Sequence, residues 1–308
     1  MAADSSDVVA GIDIGGTNIK VGLVDAEGEI HDQFVLKTAD YPKPRSLVDD
    51  LAPRFPKAAD GLTLLGIGIG APNGNFYRGT IEHAPNLEWE GVVPLAAWIS
   101  DVTGVPCLLT NDANAAALGE MIFGAAKGMS DFLFITLGTG LGSGIVVDGE
   151  LVYGHDGTAG EIGHVIVDPE GRPCGCGRRG CLEQYASATG LVLTYRELNR
   201  DASTETTSRH VFERAGTGEQ AALEAFEQTA AALGLALVNS VAHTQPEAIF
   251  LFGGLAAAGD FLLEPVRRHF EANLLNIYQG KTRIQRSGLS ESDGAILGAA
   301  SLIWHRNA

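Results

Sequence analysis

The sequence predicts an α/β chain folded as two similar lobes, and three observations carry that expectation. Residues 8–28 and 132–149 repeat one design: strand, Gly/Thr turn, strand, then a turn with Asp and Gly. Strand-like apolar runs alternate with helical stretches over most of the chain. With 308 residues, 45% of them hydrophobic and 19% charged, the chain is globular and long enough for two sizeable cores.

In the first repeat, the run Val8–Ile14 ends in Asp13-Ile-Gly15-Gly16-Thr17-Asn18. A second run, Lys20–Val24, and a third, Ile30–Leu36, complete a β-meander. Paired glycines at its first turn leave backbone N–H groups that can cradle phosphate oxygens. Asp13 sits beside that cradle, where a hydrated Mg²⁺ would need a carboxylate. Leu47–Phe55 reads as a short helix and Leu64–Gly70 as a buried strand. The loop Ala71–Asn75 and an irregular, polar loop His83–Trp89 follow. Val93–Val102 reads as a helix with Pro94 in its first turn. The strand Val105–Thr110 runs straight into Asn111-Asp112 and an Ala-rich helix. A carboxylate at a strand's carboxyl end projects into the crevice of an α/β sheet. Helix capping by either residue is the plainer role, and it is compatible with catalysis.

The second repeat has the strand Phe132–Leu137, the turn Gly138-Thr139-Gly140-Leu-Gly-Ser-Gly144 and the strand Ile145–Val147. Two such cradles suggest a duplicated domain whose lobes face one nucleotide. A strand follows the turn where a Rossmann fingerprint requires a helix, and a P-loop Gly-Lys-Ser/Thr is missing. Further on, Ala186–Asn199 reads as a helix and Asp201–Thr207 as a polar loop. Gly218–Ala242 reads as a long helix with Leu223, Phe226, Ala230, Leu233 and Leu237 on one core-facing stripe. Ala248–Phe252 is a strand entering Gly253-Gly254, a third Gly turn suited to lie flat against a nucleoside. Asp260 is expected to cap a helix Phe261–Leu275. Asp293–Ala300 reads as a small-residue helix that packs closely.

Between these parts, Gly160–Glu183 holds one His and three Cys: Glu161-Ile-Gly-His164, then Cys174-Gly-Cys176-Gly-Arg-Arg-Gly-Cys181-Leu-Glu183. That is a complete tetrahedral N/S₃ ligand set, for which Zn²⁺ is the preferred ion. A disulfide or free thiols are the alternatives. A disulfide is disfavoured because no secretory signal is present and Cys174 and Cys176 would close a strained ring. A zinc knot here would hold Glu161 and Glu183 as fixed carboxylates. Cys107, in an apolar run far from the others, reads as a core residue.

A net charge of −17 argues against nucleic acid or an anionic membrane as a partner. The acid excess reads as a solvated face, with a saline host as the sharper alternative. The start, Met-Ala-Ala-Asp-Ser-Ser-Asp, lacks the basic region of a signal peptide, and no apolar run reaches the roughly 20 residues of a membrane span. The expected location is cytoplasmic.

Taken together, Asp13-Ile-Gly-Gly-Thr, Asn111-Asp112-Ala-Asn, Leu137-Gly-Thr-Gly, Glu161-Ile-Gly-His164, the cysteine run to Glu183 and Phe252-Gly-Gly resemble the ROK (repressor, open reading frame, kinase) family of sugar kinases and regulators. The resemblance covers nearly the whole chain, and the His-plus-cysteine signature is its most specific part. It implies a two-lobed actin-like ATPase (ribonuclease H-like) fold with a zinc-binding loop. One lobe would hold residues 1–117 and 292–308, the other 118–291. Family repressors add an N-terminal helix-turn-helix; here the first hairpin begins at residue 8, which favours a kinase.

The activity implied is ATP-dependent phosphorylation of a hexose at its 6-hydroxyl, glucose above all. The alternatives are an N-acetylhexosamine, mannose or fructose kinase, or a sugar-sensing regulator lacking a DNA-binding domain. Polyphosphate as donor would favour a basic channel that the acidic balance does not supply. By resemblance, Asp112 is the general base, and Asn86, Asn111, Glu161, His164 and Glu183 join it in binding the hexose. His164 also ligates structural zinc with Cys174, Cys176 and Cys181. Asp13 is the Mg²⁺-side carboxylate. Gly15, Gly16, Thr17, Gly138, Thr139 and Gly140 serve the phosphates, and Gly253 and Gly254 the nucleoside. The expected assembly is a homodimer. One departure is Ala71-Pro-Asn73-Gly74, where many relatives have Gly directly after Pro; that loop bears on fine sugar specificity.

Overall fold

The computed structural model describes residues 6–55 and 61–307. The first five residues, part of the acidic start, lie outside this range. The chain divides into two units: Met1–Gly128, Leu151–Ala159 and Gly288–Ala308 form unit 1, and Met129–Glu150 with Gly160–Ser287 form unit 2.

Unit 1 opens with the antiparallel meander β1 (Asp7–Ile14), β2 (Asn18–Val24) and β3 (Ile30–Lys37). α1 (Pro44–Leu51) precedes β4 (Thr63–Ala71), which returns parallel to β1. β5 (Gly74–Asn75), β6 (Thr80–Glu82) and β7 (Val92–Val93) make a small separate sheet. α2 (Leu95–Thr103) leads to β8 (Cys107–Asn111), parallel to β4, and α3 (Asp112–Ile122) follows directly. The main sheet runs β3-β2-β1-β4-β8. Its apolar side chains, Val8, Ile12, Ile14, Ile67 and Ile69 among them, are almost fully buried. The C-terminal helix (Gly294–Asn307) lies against this sheet at backbone distance. A Cβ at Gly68 would stand 1.8 Å from the Ala299 carbonyl oxygen, and one at Gly11 2.2 Å from that of Ile296. The close approach therefore requires glycine at both positions.

Unit 2 repeats the plan. β9 (Phe132–Leu137) and β10 (Leu141–Val147) form an antiparallel hairpin, with β11 (Glu150–Leu151) beyond it. After the cysteine loop come α4 (Glu183–Ala186), α5 (Ala188–Leu198), α6 (Ser208–Gly216) and α7 (Gln220–Thr244). β12 (Ala248–Phe252) is parallel to β9; α8 (Asp260–Asn273) and β13 (Arg283–Arg286) follow, β13 parallel to β12. The order β11-β10-β9-β12-β13 matches unit 1 strand for strand. α7 is apolar and 25 residues long, as a membrane span would be. Its stripe of Phe226, Ala230, Leu233 and Leu237 is buried in the core of unit 2, which accounts for that composition.

Several local expectations shift. α1 starts at Pro44, three residues before the expected Leu47, because proline suits the first helical position. Pro94 precedes α2 as its N-cap residue rather than lying inside it. β10 begins at Leu141, so Gly142 and Gly144 are strand residues and the turn shrinks to Gly138–Gly140. The helix expected over Ala186–Asn199 is broken at Ser187, whose hydroxyl accepts from Gly190 N and caps α5. Asp260 is the first residue of α8, with Gly259 as N-cap residue, so it acts through the helix dipole rather than as a side-chain cap. α6, held by a Thr207–His210 capping box, and the edge strand β13 were not anticipated.

Candidate active site

In unit 1 the parallel strands β1, β4 and β8 bring Asp13, Gly70 and Asn111-Asp112 to one end of the sheet. Asp13 pairs in register with Lys20 on β2 and Gly70 on β4, and Ala71 pairs with Asn111. The Asn111 side chain accepts from Ala113 N at 2.8 Å, and so does Asp112 Oδ1, so α3 is capped twice at its start. Burial and the nearby Asp112 charge push the Asp13 carboxyl up to about 6, and Lys20 opposes them. Asp112 is open to water at its own surface, yet desolvation raises its pKa. The protein packed around the carboxyl displaces bulk solvent from it even though the residue lies at the surface. The N–H groups of Ala113 and Asp112 pull the other way.

The turn at Gly15–Thr17 is braced from behind. Gly15 N donates to Asn18 O at 2.9 Å, Thr38 Oγ1 to Gly15 O at 2.7 Å, and Thr38 N to Thr17 O at 3.0 Å. Gly16 and Thr17 are left exposed at the tip. A Cβ at Gly16 would lie 2.8 Å from Asn86 O, so the Asn86 loop rests against this turn. Asn86 itself is exposed.

In unit 2, Gly138 N donates to Gly140 O at 3.1 Å, closing the tight turn. Ala188 N and Thr189 Oγ1 donate to the carbonyls of Gly138 and Thr139, at 2.9 and 2.8 Å. Gly253 has φ +97°, a region favouring glycine, and a Cβ there would meet Leu137 O at 2.8 Å. The Gly253-Gly254 turn thus packs on the root of the Gly138–Gly140 turn, and Gly254 is open to solvent. Glu183, first residue of α4, reaches the same turn: its Oε2 accepts from Leu141 N at 3.0 Å.

Glu161 precedes a single 3₁₀ turn, Ile162–His164. That turn is tied to β10 because Ser143 Oγ donates to Gly160 O and accepts from Ile162 N. The ligand atoms of His164, Cys174, Cys176 and Cys181 all lie within 4.8 Å of one another. His164 Nδ1 is 3.8 Å from Cys174 Sγ, and the sulfurs of Cys176 and Cys181 are 3.6 Å apart. A tetrahedral ion with metal–sulfur bonds of about 2.3 Å spaces its ligands by about 3.8 Å. The four residues therefore fit one metal ion. Hydrogen bonding from Arg178 holds the Cys176 thiol down at about 6, which favours the thiolate form that binds metal. The Cys181 thiol is instead pushed up to about 12, chiefly by burial. Metal binding would displace any proton left on the ligand thiols.

Sequence reasoning missed three polar contributors: Lys20, Thr189 and Arg172. Lys20 was findable, since a hairpin turning at residues 15–17 places it opposite Asp13. The other two depend on where the broken helix α4–α5 lies.

The sequence profile of the ROK family matches residues 9–306. The chain belongs to the ROK family. It is 40% identical over 283 residues to a glucokinase of Halalkalibacterium halodurans, covering 86% of each chain. It is 35% identical over 310 residues to a glucokinase of Thermotoga maritima, covering 96% of this chain and 97% of that one. Among solved structures it resembles a ROK family glucokinase from Streptomyces griseus in complex with glucose and AMPPNP. There the TM-score is 0.80 at 34% identity, over 96% of this chain and 98% of the other. This ROK protein accordingly has the actin-like ATPase fold, and its two matching sheets are the duplicated elements of that fold.

Proposed function

We propose that this ROK protein phosphorylates a hexose at its 6-hydroxyl with ATP, and that the hexose is glucose. The observation that carries the reading is its likeness to proteins named glucokinase, at 40% identity over 86% of the chain and 35% over 96%. The site chemistry supports it. Asp112, desolvated and capped into one orientation, is suited to accept a hydroxyl proton.

In this reading Asn86, Asn111, Glu161, His164 and Glu183 hold the sugar hydroxyls, since amides and carboxylates match a ring of donors and acceptors. Asp112 takes the proton from the 6-hydroxyl. That oxygen bonds to the γ-phosphorus, the bond to the β–γ bridging oxygen breaks, and ADP leaves. The turns at Gly15–Thr17 and Gly138–Gly140 hold the phosphates, and Gly253-Gly254 lies against the nucleoside. Asp13 would hold a hydrated Mg²⁺, which supplies charge neutralisation on the phosphates. His164, Cys174, Cys176 and Cys181 would hold structural Zn²⁺; all four positions are filled by protein, which leaves none for catalysis. His164 turns Nδ1 toward Cys174, so its Nε2 is left for the sugar.

The test is a coupled ADP-release assay with ATP and a panel of hexoses. Glucose is expected to give the highest kcat/KM. Turnover of no hexose would refute the reading, and a strong preference for another hexose would refute the choice of glucose.

A further inference from the structure

We infer that Arg172 is a positioning residue for hexose binding, acting by locking the short helix that presents Glu183. The inference rests on the reading of Glu183 as a hexose ligand. Arg172 lies in the cysteine loop between His164 and Cys174, and its side chain is 13% exposed. A guanidinium carries five N–H donors, and here each has an acceptor. Nε donates to Glu197 Oε1 at 3.0 Å. Nη2 donates to Glu197 Oε2 at 2.6 Å and Thr194 Oγ1 at 2.9 Å. Nη1 donates to the carbonyls of Gln184 at 2.6 Å and Gly190 at 3.3 Å. Its Cζ also stands 4.7 Å from the Tyr185 ring centroid. The backbone of the same residue ties into the loop: Gly180 N donates to Arg172 O, and Arg172 N donates to Tyr185 Oη.

One residue thus joins the cysteine loop to both α4 and α5. That matters because α4 has only four residues. A single turn leaves its carbonyls without intrahelical partners and is unstable alone. Arg172 takes the carbonyl of Gln184, the neighbour of Glu183. On the other side, Leu141 N holds the Glu183 carboxylate. Gln184 N also donates to Cys181 O at 3.0 Å, so the metal loop holds the start of α4 while Arg172 and Leu141 N hold the turn and the Glu183 carboxylate. Lysine cannot replace the fork: its three donors radiate from one atom and would leave several of these acceptors unmatched.

A double-mutant cycle on the full-length protein, with glucose Kd measured by calorimetry, separates positioning from plain stabilisation. Arg172→Lys is expected to weaken glucose binding at least tenfold, while AMPPNP Kd and zinc per chain stay within twofold of wild type. In a Glu183→Gln background the same change should alter glucose Kd less than twofold, since the group it positions is already compromised. An undiminished effect in that background, or no effect in either, overturns the inference alone. Wild-type glucose binding by Glu183→Gln itself would overturn the ligand assignment of Glu183 and the inference with it. If Arg172→Lys does not fold, Glu197→Gln substitutes at a side chain that is 62% exposed. It is expected to weaken glucose binding about threefold, again only when Glu183 is intact. An unchanged Kd there counts against Arg172.

Discussion

Asp13 and Asp112 share one end of the unit 1 sheet, separated by the strand that carries Gly70. A Cβ at Gly70 would stand 3.6 Å from Asp112 Cα and 4.0 Å from Asp13 Oδ1. Burial, and after it the charge of Asp112, lifts the Asp13 carboxyl to about 6, and Lys20 only partly offsets them. Two like charges held together in a desolvated place are costly to the fold, and such arrangements concentrate at functional sites.

That cost predicts a pH dependence of stability. The folded-state pKa of Asp13 lies above its unfolded value of 3.8, so the native chain binds more protons between pH 4 and 6. Stability contributed by this group is therefore present below pH 4 and lost as pH rises through about 6. The loss is at most about 3 kcal/mol, at 1.36 kcal/mol per pKa unit. Asp13→Asn should raise Tm by several degrees at pH 7 and little at pH 4, read by calorimetry without ligand. A variant less stable than wild type at pH 7 would contradict the account of the acid pair.

Gly140 and Glu183 give a steric prediction. A Cβ at Gly140 would lie 2.3 Å from Glu183 Oε2, so the carboxylate has to move. Gly140→Ala should raise the KM for glucose at least tenfold while the melting temperature stays within a few degrees. An unchanged glucose KM would separate Glu183 from sugar binding.

The cysteine cluster predicts one Zn²⁺ per chain in protein purified without chelator, and none in Cys176→Ser. Because site and loop fold together, metal loss should lower Tm by roughly 5 °C or more. Elemental analysis and a melting curve decide it; zinc-free wild-type protein would remove zinc from the account.

How much of this was legible in the sequence varies with the kind of signal. The two hairpins were visible because glycine-rich turns between apolar runs leave little other choice, and Asp112 stood out at a strand-to-helix junction. The cysteine cluster was legible from residue type alone. The start of β10 was not: Gly142 and Gly144 read as turn, but pairing of Leu141 with Leu137 makes them strand. α6 escaped because its run, Ser-Arg-His-Val-Phe-Glu-Arg-Ala-Gly, buries only Val211 and Ala215. β13 escaped because Arg-Ile-Gln-Arg is an edge strand with little apolar content. Arg172 was out of reach, since its side-chain partners run from Gln184 to Glu197 and meet it only where the cysteine loop packs on α4 and α5.

The central claim is that Asp112 accepts the proton from a sugar hydroxyl. Its raised pKa predicts that the acid limb of kcat lies above the ordinary carboxylate range, with activity falling as pH drops through it. The most direct measurement is kcat for glucose with ATP in Asp112→Asn, beside glucose Kd for the same protein. The account predicts a fall in kcat of at least ~10²-fold with glucose still bound, since the amide keeps its hydrogen bonds. Near wild-type turnover by Asp112→Asn would contradict it.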